Sequence, residues 1–116
     1  MSSFFDWQNL TGKSEEKFYK MTMWQGQHLT VGMNCLEPGQ SQAPHTHGDA
    51  DKFYLVLEGR GRFIVGNEER EAGTGMIVTA PAGVTHGVSN SGDTRLSLLV
   101  AIAPPIKNKP TGAGEK

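Results

Sequence analysis

The sequence predicts an all-β sandwich or barrel built from around eight short strands. Fifteen glycines, many of them beside Asn, Asp or Pro, divide the middle of the chain into short segments, which is typical of strands joined by tight turns. From His28 onward apolar and polar residues alternate with a period of two. No helix-length segment separates the apolar pieces, so a parallel α/β fold fits poorly.

The first elements are less regular than the later ones. A helix is plausible at "TGKSEEKFY", although "EEKFYKMTMW" is equally compatible with a first strand. In "HLTVGMNCL" one parity is apolar, and it includes Cys35, which we therefore expect to be a small buried residue. The next segment, "KFYLVLEG", is apolar on both parities and is predicted to be buried on both faces. We expect "EGRG" to join it to "RFIVG" in a hairpin.

Three further strands are predicted in the second half of the chain. They correspond to "MIVTAP", "THGVSN" and "RLSLLVAIA", and the polar connection "NEEREAGTG" leaves room for one more short strand. We divide the chain into an N-terminal segment with the first strand (residues 1–27), a barrel (residues 28–103) and a tail (residues 104–116). The tail is rich in Pro, Gly and Lys, so we expect it to be mobile unless it docks on a partner.

Composition excludes several classes of function. Eleven basic and twelve acidic residues give a formal charge of −1, without the cationic field that nucleic-acid binding requires. The longest apolar stretch, "LSLLVAIAPP", is shorter than the roughly 20 residues of a membrane-spanning helix. A single cysteine cannot form an intrachain disulfide, and the first residues lack the pattern of a signal peptide. These features predict a cytoplasmic protein.

Three histidines are the candidate metal ligands. His45 and His47, in "PHTHGDADKFYLVLEG", are two residues apart, so in an extended segment both point to one side and can share an ion at about 2.0–2.1 Å. Taken alone, they fit a pair of exposed loop histidines equally well. Downstream, "GMIVTAPAGVTHGVSN" brings His86 to the start of another strand.

The two segments resemble the paired motifs of the cupin superfamily, here a small single-domain member. The first family motif is G-x5-H-x-H-x(3,4)-E-x6-G, and the second is G-x5-P-x-G-x2-H-x3-N. The first is matched at Gly39, His45, His47 and Gly59, and the second at Gly75, Pro81, Gly83, His86 and Asn90. The resemblance implies a double-stranded β-helix, a cupin jelly-roll barrel, in which the glycines, Pro81 and Asn90 shape turns.

The resemblance also implies a function. His45, His47 and His86 would bind a divalent metal ion, iron, manganese, zinc or nickel, and leave coordination positions open for water or substrate. Small cupins commonly form homodimers, and the apolar strands here offer more hydrophobic surface than one small barrel covers. We therefore expect a homodimer with a small-molecule ligand or substrate.

The first motif departs from the family pattern at its glutamate, since the register places Lys52 there and Asp51 just before it. Three arrangements follow: a three-histidine site completed by water, a site in which Asp51 reaches the metal through a shifted register, or a metal-free pocket centred on Lys52. Tyr54 shares the parity of Lys52 and is expected in the barrel wall.

Two functions remain open at this level. The first is a metal-binding cupin that acts on a small organic molecule as an oxygenase, isomerase or lyase. The alternative is a non-catalytic ligand-binding or regulatory cupin, with or without metal. A structural or storage role has less support, because the chain is short.

Overall fold

The computed structural model describes residues 2–46 and 48–105. Within them, nine strands follow one 3-10 turn at Trp7–Asn9. The strands are β1 Tyr19–Gln25, β2 Thr30–Leu36, β3 Ser41–His45, β4 Asp51–Glu58, β5 Arg60–Val65, β6 Glu68–Gly73, β7 Ile77–Ala80, β8 His86–Asn90 and β9 Leu96–Ala103. The predicted all-β class is confirmed. The described N-terminal segment contains no α-helix, and its strand begins at Tyr19, four residues later than the "EEKFYKMTMW" alternative placed it.

The strands form two antiparallel sheets. The larger has the order β1-β2-β9-β4-β7, and the smaller has the order β3-β8-β5-β6. Apolar side chains from both sheets meet in one core. In this core the ring centroids of Tyr54 on β4 and Phe63 on β5 are 5.3 Å apart. This arrangement is the double-stranded β-helix that the resemblance implied.

The predicted hairpin between "KFYLVLEG" and "RFIVG" is wrong. Strands β4 and β5 lie in different sheets, because Gly59, with φ 85°, turns the chain from one sheet to the other. A Cβ on Gly59 would collide with the carbonyl oxygen of Arg95, so the corner requires glycine. The hairpin is instead formed by β5 and β6, which are joined by a two-residue turn at Gly66 and Asn67.

Strand β4 is also less enclosed than predicted. Its inward residues Lys52, Tyr54 and Val56 are buried, whereas Phe53 on the other face is 37% exposed. The described residues do not add a layer that covers this end of the larger sheet. Apolar residues on both parities therefore indicate one face against the core and one apolar face that is partly exposed.

The glycines and the asparagine of the two motifs shape turns as expected. Gly39, Gly59, Gly75 and Gly83 all have positive φ, between 79° and 90°. The Asn90 side chain donates to the carbonyl oxygens of Leu36 and Thr94 at 2.8 and 2.9 Å and accepts from the Gly92 amide. Asn90 therefore ties β8 to the end of β2 and to the turn before β9.

Two predictions concern the remaining parts of the chain. Most of the predicted mobile tail, residues 106–116, lies outside the described residues. Among the residues that the structure describes, no helix is both long and apolar enough to cross a membrane.

Candidate functional site

His45 and His86 lie side by side on neighbouring strands. The antiparallel pairing of β3 with β8 makes the two residues direct cross-strand partners, and their ring centroids are 4.4 Å apart. Side chains this close can each direct one nitrogen to a shared ion at about 2.0–2.1 Å. The structure thus brings together two of the three histidines that the sequence singles out.

Hydrogen bonds define the tautomer of both rings. Nδ1 of His45 lies 3.0 Å from the carbonyl oxygen of Ala43, and Nδ1 of His86 lies 3.0 Å from that of Val84. A carbonyl oxygen only accepts, so each Nδ1 carries the proton and donates it. The neutral ring then has its lone pair on Nε2, which is the form that ligates a metal.

The surroundings keep both imidazoles neutral. Burial lowers the pKa of His45 and of His86, the backbone hydrogen bond opposes this in part, and the positive charge of Lys52 lowers both pKa values further. A metal ion then does not have to displace a proton from these rings at neutral pH. The chemistry of this donor pair fits a divalent transition metal.

The third histidine of the predicted site is not part of this geometry. His47 lies outside the described residues, so its role as a ligand stays a prediction. Among the residues the structure describes, no group of three or more His, Cys, Asp or Glu side chains is placed to hold a metal ion. A site with three protein ligands at this position therefore depends on His47.

Lys52 points into the barrel. Its residue surface is 5% exposed, and Nζ lies 4.7 Å from the centroid of the Tyr54 ring. Burial, together with the charge of Lys20, lowers the pKa of Lys52 to about 7. A cation–π contact contributes about 0.5–2 kcal/mol, which is less than the several kcal/mol that removing an ammonium from water costs.

Asp51 lies on the opposite face of β4. The residue is exposed, and its Oδ1 accepts a hydrogen bond of 3.0 Å from the backbone N–H of Ala82. The pairing of β4 with β9 runs without a bulge from Asp51 to Val56, and the pairing with β7 is regular from Lys52 to Leu55. The shifted register that would bring Asp51 inward is therefore absent from this strand, and its role as a metal ligand remains an untested prediction.

A cavity of about 520 Å³ opens beside His45 between the two sheets. Its wall includes three lysines, Lys17, Lys20 and Lys52, and its described lining contains no Asp or Glu. The remaining lining residues are Phe18, Met21, Thr22, Thr30, Gly32, Asn34, Ser41, Gln42, Ala43, Val100 and Ile102. The volume is in the range of small-molecule sites.

Sequence reasoning missed the polar residues of this cavity. Thr30 and Asn34 belong to the polar parity of β2, and they line the cavity. The apolar parity, with Met33 and Cys35, faces the other way and is also buried, which confirms the predicted burial of Cys35. Thr30, Gly32 and Asn34 alternate along β2 and are small or polar. This pattern could have indicated that one face of the strand lines a cavity.

Tyr54 lies in the barrel wall, as predicted. It is fully buried, and its hydroxyl donates a hydrogen bond of 2.6 Å to Oε1 of Gln42. Burial raises the pKa of the Tyr54 hydroxyl, so the phenol stays protonated. The contact ties β4 to β3, which carries His45.

Comparison with known proteins places this geometry in a family. Residues 32–102 match the family model of the cupin domain. The protein YrkC of Bacillus subtilis is 31% identical over 100 residues, which make up 81% of this chain and 53% of YrkC. The chain thus spans about half the length of that relative.

Two solved structures are similar in fold. TT1209 of Thermus thermophilus superposes with a TM-score of 0.85 and 37% identity, and the alignment covers 89% of this chain and 98% of TT1209. A Klebsiella pneumoniae protein with a double-stranded β-helix domain has a TM-score of 0.84 and 24% identity, with 90% and 91% of the two chains covered. Since the family model matches well over half of the chain and spans both motifs, the protein belongs to the cupin superfamily.

Proposed function

We propose that this cupin binds one divalent metal ion through His45, His47 and His86 and acts on a small organic molecule in the adjacent cavity. The observation that supports this most strongly is the cross-strand pair of His45 and His86. Both rings donate from Nδ1 to a backbone carbonyl oxygen, so in the neutral ring the lone pair that a metal requires is on Nε2. His45 also lines the cavity, so a bound molecule would lie against the ligand set.

The donor set suits iron, manganese, zinc or nickel. A metal held by these three nitrogens would supply Lewis acidity and would leave coordination positions for a substrate oxygen. Gln42 and Tyr54 fix the wall next to His45 through their hydrogen bond, and Val100 and Ile102 of β9 give the cavity an apolar surface. Oxygenase, isomerase and lyase chemistry are all compatible with such a centre.

Metal analysis tests the proposal. Protein purified without a metal-affinity tag should contain close to one equivalent of metal per chain. After chelator treatment and dialysis, we expect His45→Ala to weaken metal binding about tenfold or more, because one of three ligands is lost. His28 is exposed in the bend between β1 and β2, so His28→Ala is the matched control and should bind metal like the unmodified protein.

His86→Ala gives a second measurement, with folding checked by circular dichroism because His86 is buried. A folded His86→Ala variant that binds metal as tightly as the unmodified protein would refute the three-histidine site.

The second candidate function is a non-catalytic ligand-binding or regulatory cupin. Lys52 at the glutamate position of the motif favours it, as does a described cavity wall without a carboxylate to serve as a general base. Metal-loaded protein that binds small molecules reversibly but converts none of them would support this second function.

A further inference from the structure

The positive charges of the cavity differ from most of those elsewhere in the described chain, where four of the five Lys and Arg side chains form ion pairs and Arg70 is the exception. Four ion pairs are formed there, and all lie outside the cavity. They are Lys13 with Glu15, Arg60 with Glu71, Arg62 with Glu69, and Arg95 with Glu58. Lys17, Lys20 and Lys52 lie in the cavity wall and pair with no described carboxylate. The described wall of the cavity therefore carries three lysine side chains and no carboxylate.

A buried hydroxyl lies in the same wall. Thr30 on β2 and Lys52 on β4 are both register partners of Ile102 on β9, so the three form one row across the inner face of the larger sheet. Thr30 is 6% exposed, and its Oγ1 has no hydrogen-bond partner among the described residues. Buried hydroxyls normally have one, so this row presents an ammonium and a hydroxyl to the cavity.

The spacing suits a small molecule. Neighbouring strands are about 4.8 Å apart, so the backbones of Thr30 and Lys52 are roughly 10 Å apart. A carboxylate bound at the Lys52 ammonium, together with a carbon skeleton of a few atoms, spans much of that distance. Val100 and Ile102 add apolar surface between and beside the two polar groups, which suits a carbon skeleton rather than an inorganic ion.

We propose that this cavity binds a small organic carboxylate, with the carboxylate held by Lys52, the hydroxyl of Thr30 as a second polar contact, and Lys17 and Lys20 attracting the anion from the rim. This proposal rests on the proposed function, since it names the class of its small molecule, but it does not require the metal. A carboxylate hydrogen-bonded to a buried ammonium offsets the desolvation of both groups. An uncharged analogue of the same shape lacks that compensation.

The test compares carboxylates with matched amides on metal-free protein. Benzoate and hexanoate are titrated against benzamide and hexanamide at constant ionic strength by calorimetry, with phenyl phosphate as a further anion. We expect the unmodified protein to bind at least one carboxylate about tenfold or more tightly than its amide. Stronger binding of phenyl phosphate than of either carboxylate would overturn the assignment to carboxylates.

Three variants identify the groups involved. Lys52→Met should reduce the preference for carboxylate over amide to within about twofold, and Thr30→Val, which is close in shape, should weaken carboxylate binding by a smaller factor. Lys13→Met removes an exposed lysine outside the cavity and should change nothing. If Lys52→Met retains the full preference, or if no carboxylate binds better than its amide, the proposal fails.

The proposed metal site and the proposed carboxylate site can be refuted independently of each other. His86→Ala, at a metal-ligand position outside the cavity lining, should weaken metal binding about tenfold or more while the metal-free variant still prefers carboxylates. Lys52→Met should lose the carboxylate preference while it still takes up metal. Loss of metal binding without loss of carboxylate binding therefore concerns only the histidine site, and the reverse result concerns only the lysine.

Discussion

Lys52 places its ammonium nitrogen 4.7 Å from the centroid of the Tyr54 ring, on the buried face of β4. The negative face of the ring replaces part of the hydration that the ammonium loses. Burial nevertheless lowers the pKa of Lys52 from 10.5 to about 7. The charged amine therefore destabilises the folded protein at and below neutral pH.

This arrangement predicts that metal-free protein becomes more stable as the pH rises above 7. The unfolded chain retains the Lys52 proton up to an ordinary pKa of 10.5, whereas the folded protein releases it at about 7. The unfolded state then binds more protons in this window, so the free energy of unfolding increases with pH. We expect Lys52 to add on the order of 2 kcal/mol between about pH 7 and pH 9.5.

Urea unfolding at about pH 7 and pH 9.5 measures how the free energy of unfolding of the unmodified protein and of Lys52→Met depends on pH. Other titratable groups near the amine are present in both proteins, namely Lys17, Lys20, His45, Tyr54 and His86. The difference between the two proteins therefore reports on Lys52. Equal dependence on pH in the two proteins would show that Lys52 titrates as an ordinary exposed lysine.

A second prediction concerns a polar cluster at the start of β9. Oε2 of Glu58 accepts hydrogen bonds from Oγ of Ser97 at 2.6 Å and from Nε of Arg95 at 2.9 Å. Ser97 is fully buried, and hydrogen bonds to charged groups contribute about 1.5–3 kcal/mol. We expect Ser97→Ala to lower the free energy of unfolding by about 1–2 kcal/mol.

The exposed ion pair of Arg62 with Glu69 provides the comparison. Because surface pairs contribute little, Arg62→Ala should cost less than about 1 kcal/mol. Both variants are measured by urea unfolding at neutral pH. A larger loss for Arg62→Ala than for Ser97→Ala would mean that burial does not strengthen the Glu58 cluster.

The sequence was sufficient for the fold class, because each motif glycine corresponds to a backbone position with positive φ. It was not sufficient for the path of the chain at Gly59. A glycine turn between two apolar strands is compatible with a hairpin and with a corner between sheets, and only the packing of the whole barrel distinguishes them. The contact of Glu58 with Ser97 likewise joins residues 39 positions apart, which local patterns do not reveal.

The candidate site, like the fold, was predicted from the sequence only in part. The motifs singled out His45 and His86, and strand pairing explains why these two rings meet. The cavity wall was not predicted, because Thr30 and Asn34 are unremarkable polar residues until the sheet places them opposite β3. Lys52 was identified as a departure from the motif, but its unpaired state depends on which side chains share its cavity.

A third prediction concerns self-association through the outer face of the larger sheet. Phe53 is 37% and Ile77 is 59% exposed, and the register pairs Leu55 with Ile77 on this same face. We expect a homodimer that covers these side chains, with the dimer mass measured by light scattering at micromolar concentrations. Ile77→Glu should shift the equilibrium toward monomer.

Phe4→Glu is the control for this change, because Phe4 is 89% exposed outside the two sheets. It should leave the mass unchanged. A monomer mass for the unmodified protein across this concentration range would contradict the homodimer.

The last prediction returns to the position where the family motif has glutamate. Lys52→Glu replaces an inward-pointing ammonium with a carboxylate on the same face of β4 as Tyr54. The variant removes a positive charge that lowers the pKa of both His45 and His86, and it offers an oxygen ligand that manganese and ferrous iron favour. We expect Mn²⁺ to bind about tenfold or more tightly to Lys52→Glu than to the unmodified protein.

Asp51→Ala is the matched change on the opposite face of the strand. Because the Asp51 carboxylate is exposed and bonded to the Ala82 amide, its removal should leave Mn²⁺ affinity within about twofold. Both variants are titrated with Mn²⁺ after chelator treatment and followed by electron paramagnetic resonance of the free ion. A marked loss of affinity in Asp51→Ala, with no gain in Lys52→Glu, would identify Asp51 as the fourth ligand and would require β4 to rearrange when metal binds.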